Sequence, residues 1–402
     1  MKKIPHGVWA LAALMLLHFT ADMVGGILPG ILPVLRNNFD MSLKIGVIFL
    51  AIRSLSSNFC QVLVGPLRKN SQKPFFIYIG LLLLAFIGIF GFLPADTPDW
   101  VLFCLSGVFG CGTAVVHPEG LRGAMAIRDI NGAVTTALFM TMGFFGFSCG
   151  PLIGALLIDS SWGLKSLLSV AILLILVMAA VFITKVRLLT DKTDSAKENS
   201  GKADDCWSFP VLFLIAFFMN SGSTVLQALL PTFLHDVNGF SLKMGGAGSL
   251  LLGLGSALGS ICSGIWAKKI KPSILTMSNL FTGIILLVTY FYFSQNMWAL
   301  VILFFAGFTV SSSLPLLVVM ARHAESKLII GLKMGIMVGG AWGCAGLVLF
   351  VISFFVEEIG LMNVMKIVCL MYIASLLLAV FTAFIFKNKK RIVSMQKAEG
   401  VK

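Results

Sequence analysis

The sequence predicts an all-α membrane protein of twelve transmembrane helices in two six-helix bundles. Three observations predict it. The 402 residues are 58% hydrophobic and 12% charged, where soluble domains carry about 25% charged residues, and the mean hydropathy is +0.98. A spanning helix needs about 20 apolar residues, and twelve such runs follow one another. One long polar stretch, from Lys185 to Trp207, divides them into six and six. No soluble globule has the interior to hide this much apolar surface. A soluble enzyme and a disordered scaffold are therefore excluded, and so is a transmembrane β-barrel, whose strands would alternate polar with apolar.

The spans are expected at 8–35, 43–64, 75–93, 99–121, 132–157 and 164–184, then at 209–234, 242–266, 273–293, 298–320, 334–356 and 365–386. Charges and turn residues bound them. Lys2 and Lys3 precede the first, which lacks a small-residue cleavage site and is expected to be a retained helix. Arg36 ends it. Arg68, Lys69 and Lys73 separate the second from the third, Asp96 to Asp99 the third from the fourth, and Arg122 to Asn131 the fourth from the fifth. The second half repeats the pattern, with Lys268, Lys269 and Lys271 after the eighth span and Arg322, Lys327 and Lys333 after the tenth. The expected domains are a bundle over 1–184, a cytoplasmic linker over 185–208, a second bundle over 209–386 and a cytoplasmic tail over 387–402.

Orientation follows from Lys and Arg. With the N-terminus in the cytoplasm, 24 of the 30 basic residues fall on inside segments, Arg36, Lys44, Lys165, Lys243 and Lys366 face outside, and Arg53 stays within the membrane. An even number of spans puts both termini inside. The net charge of +13 is thus a topology signal and gives no reason to expect nucleic acid. Seven of the eight cysteines fall in apolar runs with no C-x-x-C pair, which reads as packing and not as a disulfide framework.

An internal repeat supports two similar halves. Gly65-Pro-Leu-Arg-Lys69, with Lys73-Pro74 after it, returns as Gly264-Ile-Trp-Ala-Lys268 with Lys271-Pro272. Pro118 matches Pro315, and Gly143 and Gly146 match Gly340 and Gly343. Two bundles rocking about a central site are what an alternating-access transporter uses.

Twelve spans, a 6+6 repeat and a polar middle loop resemble the major facilitator superfamily over the whole length. In the fifth span, Gly146-Phe-Ser-Cys-Gly150-Pro151-Leu-Ile-Gly154 is similar to the G-x-x-x-G-P-x-x-G motif of that superfamily's drug–proton antiporters. The plainer reading is close helix packing through small residues. His18-Phe-Thr-Ala-Asp22 followed by Leu28-Pro29 and Leu32-Pro33, Ser56-Ser57 with Gln61 before Gly65, and His117-Pro118-Glu119-Gly120 resemble the fosmidomycin-resistance branch. That resemblance implies proton-driven efflux of small compounds across the inner membrane. Two departures stand out. Lys69 and Lys268 occupy the place where the superfamily's loop motif carries Asp, and Arg53 occupies a place expected to be neutral and polar.

Ionisable residues at membrane depth default to functional hypotheses. Three charged residues qualify: Asp22, Arg53 and Glu119. At 1.5 Å per residue, Asp22 lies about 21 Å into the first span from inside and Arg53 about 15 Å into the second from outside, so their depths are comparable. They are expected to form an electrostatic pair, with Asp22 as the proton-accepting carboxylate; burial and a nearby guanidinium pull a carboxylate's proton affinity in opposite directions. Glu119 either pairs with Arg122 three residues on or is a second carboxylate in the proton path with His117. His18, four residues before Asp22, either orients Asp22 or is a satisfied polar residue. The expected proton-coupling set is Asp22, Glu119, His18 and His117. Arg53, Gln61, Asn220 and Gln227 are the candidate substrate contacts. Gly65, Lys69, Gly146, Gly150, Pro151 and Gly154 are the candidate conformational motifs.

Gly25, Gly26, Pro29, Gly30 and Pro33 make the first span poor helix and free backbone groups that must face protein or a cavity. The seventh shows a milder version from Asn220 to Pro231. No phosphate loop, H-E-x-x-H or zinc-ligand spacing occurs, so the expectation is no enzyme, no metal and no cofactor. The leading function is proton-coupled efflux of a small polar or amphipathic compound by a monomer in the lipid bilayer. The alternatives are organic-anion uptake, from Arg53, and a non-transporting receptor or assembly protein, from the lost loop aspartates.

Overall fold

Each apolar run becomes helix because backbone groups in hydrocarbon must be satisfied within their own segment. The structure, a computed structural model, describes residues 6–67, 71–190, 207–324, 326, 328, 333 and 335–399. The first half comprises α1 (His6–Asn38), α2 (Leu43–Leu67), α3 (Phe75–Ala85, continued by a 3₁₀ stretch Phe86–Gly91), α4 (Asp99–Met125), α5 (Gly132–Ile158) and α6 (Leu167–Ile183). The second comprises α7 (Phe209–Asp236), α8 (Leu242–Trp266), α9 (Pro272–Tyr292), α10 (Leu300–Val310), α11 (Ser313–His323), α12 (Ala341–Ser353, preceded by a π turn Ile336–Gly340), the short α13 (Val356–Ile359) and α14 (Leu361–Glu399). Among the described residues eleven segments are long and apolar enough to cross a membrane, α10 and α11 together counting as one, and Phe75–Gly91 is a shorter twelfth. The architecture is the expected twelve-helix, two-bundle membrane fold. Most of the expected linker, together with Lys2, Lys3, Lys69 and Lys327, lies outside the described residues.

Three elements differ from expectation. The first span is one unbroken helix through Pro29 and Pro33. The tenth is broken at Ser311–Ser312, because Pro315 has no N–H to offer the carbonyl four residues back. Side chains serve that break: Ser256 Oγ lies 2.9 Å from Ser311 Oγ, and Asn279 Nδ2 donates to Ser312 Oγ at 3.0 Å. Pro118, the repeat counterpart, sits inside the continuous α4. The twelfth span runs past residue 386 to Glu399, since Lys, Arg, Met and Gln end the apolar run without ending the helix.

Glycines set how closely α1 approaches α5. α1 is the most enclosed span, with 72% of its apolar window buried. A methyl group added at Gly150 would meet the Met23 carbonyl and Gly26, one at Gly146 would meet the Phe19 carbonyl, and one at Gly154 would lie 2.9 Å from Ile31 Cγ2. The two helices therefore pack closely over several turns, through small residues of the kind that let helices associate in lipid.

The halves meet along α5–α8, α2–α12 and α1–α7. At Gly246 of α8 an added methyl would lie 2.7 Å from Leu152 N and 2.8 Å from the Pro151 carbonyl oxygen. One added at Gly30 of α1 would lie 2.7 Å from that same oxygen. The Pro151–Leu152 peptide is thus held between glycines of both halves. His6 marks one face of the bundle, called here the basic face. At the opposite face Arg36 pairs with Asp236 at 2.6 Å and Lys243 with Asp159 at 2.5 Å, each across the halves. Among the described residues α4 forms no packed seam with α10 or α11, so the joined surfaces run from the opposite face to mid-depth.

Candidate functional site

His18 and Asp22 stand four residues apart on one side of α1, the spacing at which helix side chains meet. His117 enters from α4, beside Pro118. Asp22 Oδ1 lies 2.7 Å from His117 Nε2, and Asp22 Oδ2 lies 3.3 Å from His18 Nε2. The other nitrogen of His18, Nδ1, lies 2.7 Å from the carbonyl oxygen of Phe139 in α5. The His18 ring stacks on Phe139 at 4.1 Å and meets the His117 ring edge-on at 4.9 Å. Three helices therefore hold one carboxylate between two imidazoles. His18 is buried, while Asp22 and His117 keep 16% and 27% of their side chains exposed, so the cluster is accessible from the His117 side.

Hydrogen-bond chemistry fixes what this cluster holds. A carbonyl oxygen only accepts, so His18 Nδ1 carries a hydrogen. Nε2 then faces a carboxylate oxygen, and two lone pairs would oppose each other unless a proton sits between them. That proton belongs to the imidazole or to the carboxyl group. The geometry thus supplies a place for one exchangeable proton, with His117 Nε2 donating to the second carboxylate oxygen. Room for it comes from Gly143, where an added methyl would meet the His18 ring and lie 2.6 Å from Asp22 Oδ2. Neither Phe139 nor Gly143 stands out as a site residue in the sequence, although Gly143 belongs to the internal repeat.

Arg53 makes no direct contact with Asp22. The structure pairs Asp22 with His18 and His117, and among the described residues no carboxylate lies within ion-pair distance of Arg53. Its guanidinium lies over the face of α1 at Gly25, where an added methyl would be 2.8 Å from Nη1, and 5.9 Å from the Phe147 ring. The expected electrostatic pair of Asp22 and Arg53 therefore acts through space and without an ion-pair contact: the Asp22 charge acts on a guanidinium lying one turn further along α1. Glu119 is likewise separate from Asp22: it is buried, and its Oε1 accepts from Arg122 Nη1 at 2.7 Å. Arg122 also donates through Nε to the Leu189 carbonyl at 3.0 Å. This is the helix-end pairing, extended to the segment that follows α6.

Asn220 is 1% exposed, and among the described residues neither its amide nitrogen nor its amide oxygen has a partner. Thr224, one turn on, has a buried hydroxyl in the same condition. Buried polar groups are nearly always satisfied, so these two point to a place for a bound molecule or water. Gln227 and Gln61 are half-buried. Gly65 lies in α2, and Gly146, Gly150, Pro151 and Gly154 form the α1–α5 seam, as the plainer packing reading requires. His18, Asp22 and His117 present donor atoms within 4.8 Å of one another, a spacing that a divalent cation could bridge. The fixed charge of Arg53 near α1 opposes a cation there.

The family model of the Major Facilitator Superfamily matches residues 14–329. The Fosmidomycin resistance protein of Escherichia coli (strain K12) is 30% identical over 156 residues, 37% of this chain and 36% of that protein. An uncharacterized MFS-type transporter of Bacillus subtilis (strain 168), YfnC, is 26% identical over 142 residues, 35% of this chain and 34% of that protein. Each match spans about a third of the relative's length. A bacterial homolog of the human lysosomal transporter Spinster, solved in an inward-facing and occupied conformation, superposes with a TM-score of 0.71 at 15% identity, covering 97% of this chain and 98% of that one.

Proposed function

The chain belongs to the major facilitator superfamily, and from that premise we propose that it is a secondary transporter exporting a small polar or amphipathic compound in exchange for protons. The observation that carries this reading is the His18–Asp22–His117 cluster, whose contacts leave a place for one exchangeable proton. The proton can sit on an imidazole or on the carboxyl group between the two rings, and rocking of one bundle against the other would change which face reaches it. Asn220 and Thr224 offer polar groups to a substrate from the second half, with Gln227 and Gln61 as further contacts. In this reading the chain lies in the inner membrane as a monomer, the basic face is cytoplasmic and both termini lie there, because 24 of the 30 basic residues fall on that side. Glu119 serves the helix end through Arg122 and not the proton path.

A second reading is favoured by one observation. Arg53 has no carboxylate at ion-pair distance among the described residues, and guanidinium suits carboxylate or phosphate, so uptake of an organic anion is the alternative. A resistance and accumulation panel in an efflux-deficient host, with and without a protonophore, separates the two. Efflux predicts that expression lowers accumulation of at least one compound and that the protonophore abolishes the difference. Raised accumulation of an organic anion supports uptake. Lowered accumulation that persists with the gradient collapsed refutes proton coupling.

A further inference from the structure

The three side chains that meet at Asp22 suit a second kind of occupant. His18 gives its Nδ1 hydrogen to the Phe139 carbonyl at 2.7 Å, which leaves Nε2 as the nitrogen with a free lone pair. Metal-binding histidines are held in this way, the far nitrogen donating to a carbonyl or carboxylate while the near one faces the cation. The Phe139 ring, stacked on His18 at 4.1 Å, keeps the imidazole from turning. Donors about 2.0–2.2 Å from a tetrahedral cation stand roughly 3.3–3.5 Å from one another, and His18 Nε2 lies 3.3 Å from Asp22 Oδ2. His117 Nε2 lies closer, 2.7 Å from Asp22 Oδ1, and one donor atom from each residue falls within 4.8 Å of the others. A small turn of His117, the most exposed of the three, brings the set around one ion.

We propose that His18, Asp22 and His117 form a binding site for a divalent transition-metal ion of the zinc class, with three protein ligands and one position open toward the exposed side of His117. Two imidazoles and one carboxylate select zinc, cobalt and nickel over magnesium and calcium, which take oxygen ligands. Three protein ligands with an open fourth position are the arrangement of zinc sites that exchange their fourth ligand, not of closed structural ones. The charge balance points the same way. The complex carries one net positive charge, and the Arg53 guanidinium, over Gly25 one turn along α1, repels it. The ion therefore binds reversibly and is not a resident staple. Ion and proton answer one need, since each separates His18 Nε2 from the carboxylate oxygen it faces. The ligands come from two helices, with Asp22 and His117 95 residues apart, so no short spacing of His and Asp announces them. The site stands on this geometry alone and not on the transport reading.

Cobalt reports such a site directly, because a four-coordinate Co2+ complex absorbs visible light. The full chain, with its eight cysteines replaced by serine and no histidine tag, is titrated with Co2+ in lipid nanodiscs. One equivalent should bind with a visible band; Zn2+ should displace it and an excess of Mg2+ should not. His18→Gln and His117→Gln should each lose the band, while His235→Gln, whose ring lies beside Asp236 at the other face, should keep it. Arg53→Gln should tighten binding by on the order of tenfold. His117→Cys should bind Co2+ with an added sulfur-to-cobalt charge-transfer band, which only direct ligation by the thiolate gives. Absence of a saturable band in the folded, monodisperse parent overturns the site, and so does a band of equal strength in His18→Gln and His117→Gln. A His117→Cys chain that binds Co2+ without the sulfur band overturns it as well. The titration uses no gradient and no transported compound, so failure of the site leaves the proton-coupled reading standing, and failure of that reading leaves the site standing.

Discussion

Replacing Asp22 by asparagine removes one charge and leaves the outline of the side chain unchanged. The amide oxygen can still accept from His117 Nε2 and the amide nitrogen can donate to His18 Nε2, so both contacts at 2.7 and 3.3 Å keep a hydrogen between their atoms. Each falls from the range for charged partners, about 1.5–3 kcal/mol, to about 0.5–1.5 kcal/mol. The combined cost of about 2 kcal/mol is partly offset because no charge is left to desolvate, so the variant should fold with a thermal midpoint lowered by a few degrees. Coupling should disappear, because the hydrogen facing His18 now belongs to an amide and cannot dissociate. With one proton exchanged per substrate, one pH unit is worth about 1.36 kcal/mol, or tenfold in substrate gradient. In proteoliposomes with a one-unit gradient the parent should reach roughly tenfold accumulation and the variant none above the passive level. Tenfold accumulation by a folded Asp22→Asn variant would refute the proton role.

Gly143→Ala should abolish pH-driven transport while leaving a monodisperse protein, because the added methyl displaces His18 and Asp22 without breaking a helix; transport at the parent rate would contradict the cradle. Arg122→Ala removes the guanidinium that joins buried Glu119 to the Leu189 carbonyl and should lower the thermal midpoint in detergent, with Arg122→Lys recovering part of the loss. Glu357 is held below its ordinary value of 4.5 first by the Lys44 amide and then by the Ser42 hydroxyl, helped by the charges of Lys44 and Arg36. A lowered carboxylate stabilises its contact above its ordinary value and loses that contribution as pH falls through the lowered one. The Glu357 contact with the Lys44 amide should therefore hold at neutral pH and weaken only below the ordinary carboxylate range, read by hydrogen exchange at the Lys44 amide. A tag between Asp96 and Asp99 should react with an impermeant reagent on intact cells; reaction only after permeabilisation would reverse the orientation.

Depth is legible in the sequence, and direction around each helix is not. Apolar runs and flanking charges mark most helix ends within a few residues, because the cost of a charge in hydrocarbon is steep along the membrane normal. His18 and Asp22 can be placed together, since one helix fixes their relation through its own period. His117 is 95 residues away on another helix, and only packing reveals that it shares Asp22. Arg53 shows how far depth alone goes: it matches the guanidinium to the Asp22 charge that acts on it, but not to the contacts His18 and His117 make with that carboxylate. The break at Ser311–Ser312 is hidden because Pro118 and Pro315 look alike in sequence, while the polar side chains that satisfy the break come from α8 and α9.

The Pro151–Leu152 peptide has glycine on either side, Gly30 from its own half and Gly246 from the other. Side chains can be squeezed or swing aside, but backbone pressed on backbone has almost no give. When one half turns against the other, points near such a contact travel least and the helix ends travel furthest, as the arms of a balance do about its fulcrum. A residue with even one extra carbon at Gly246 would therefore act as a shim at the pivot, tilting every distance beyond it at once.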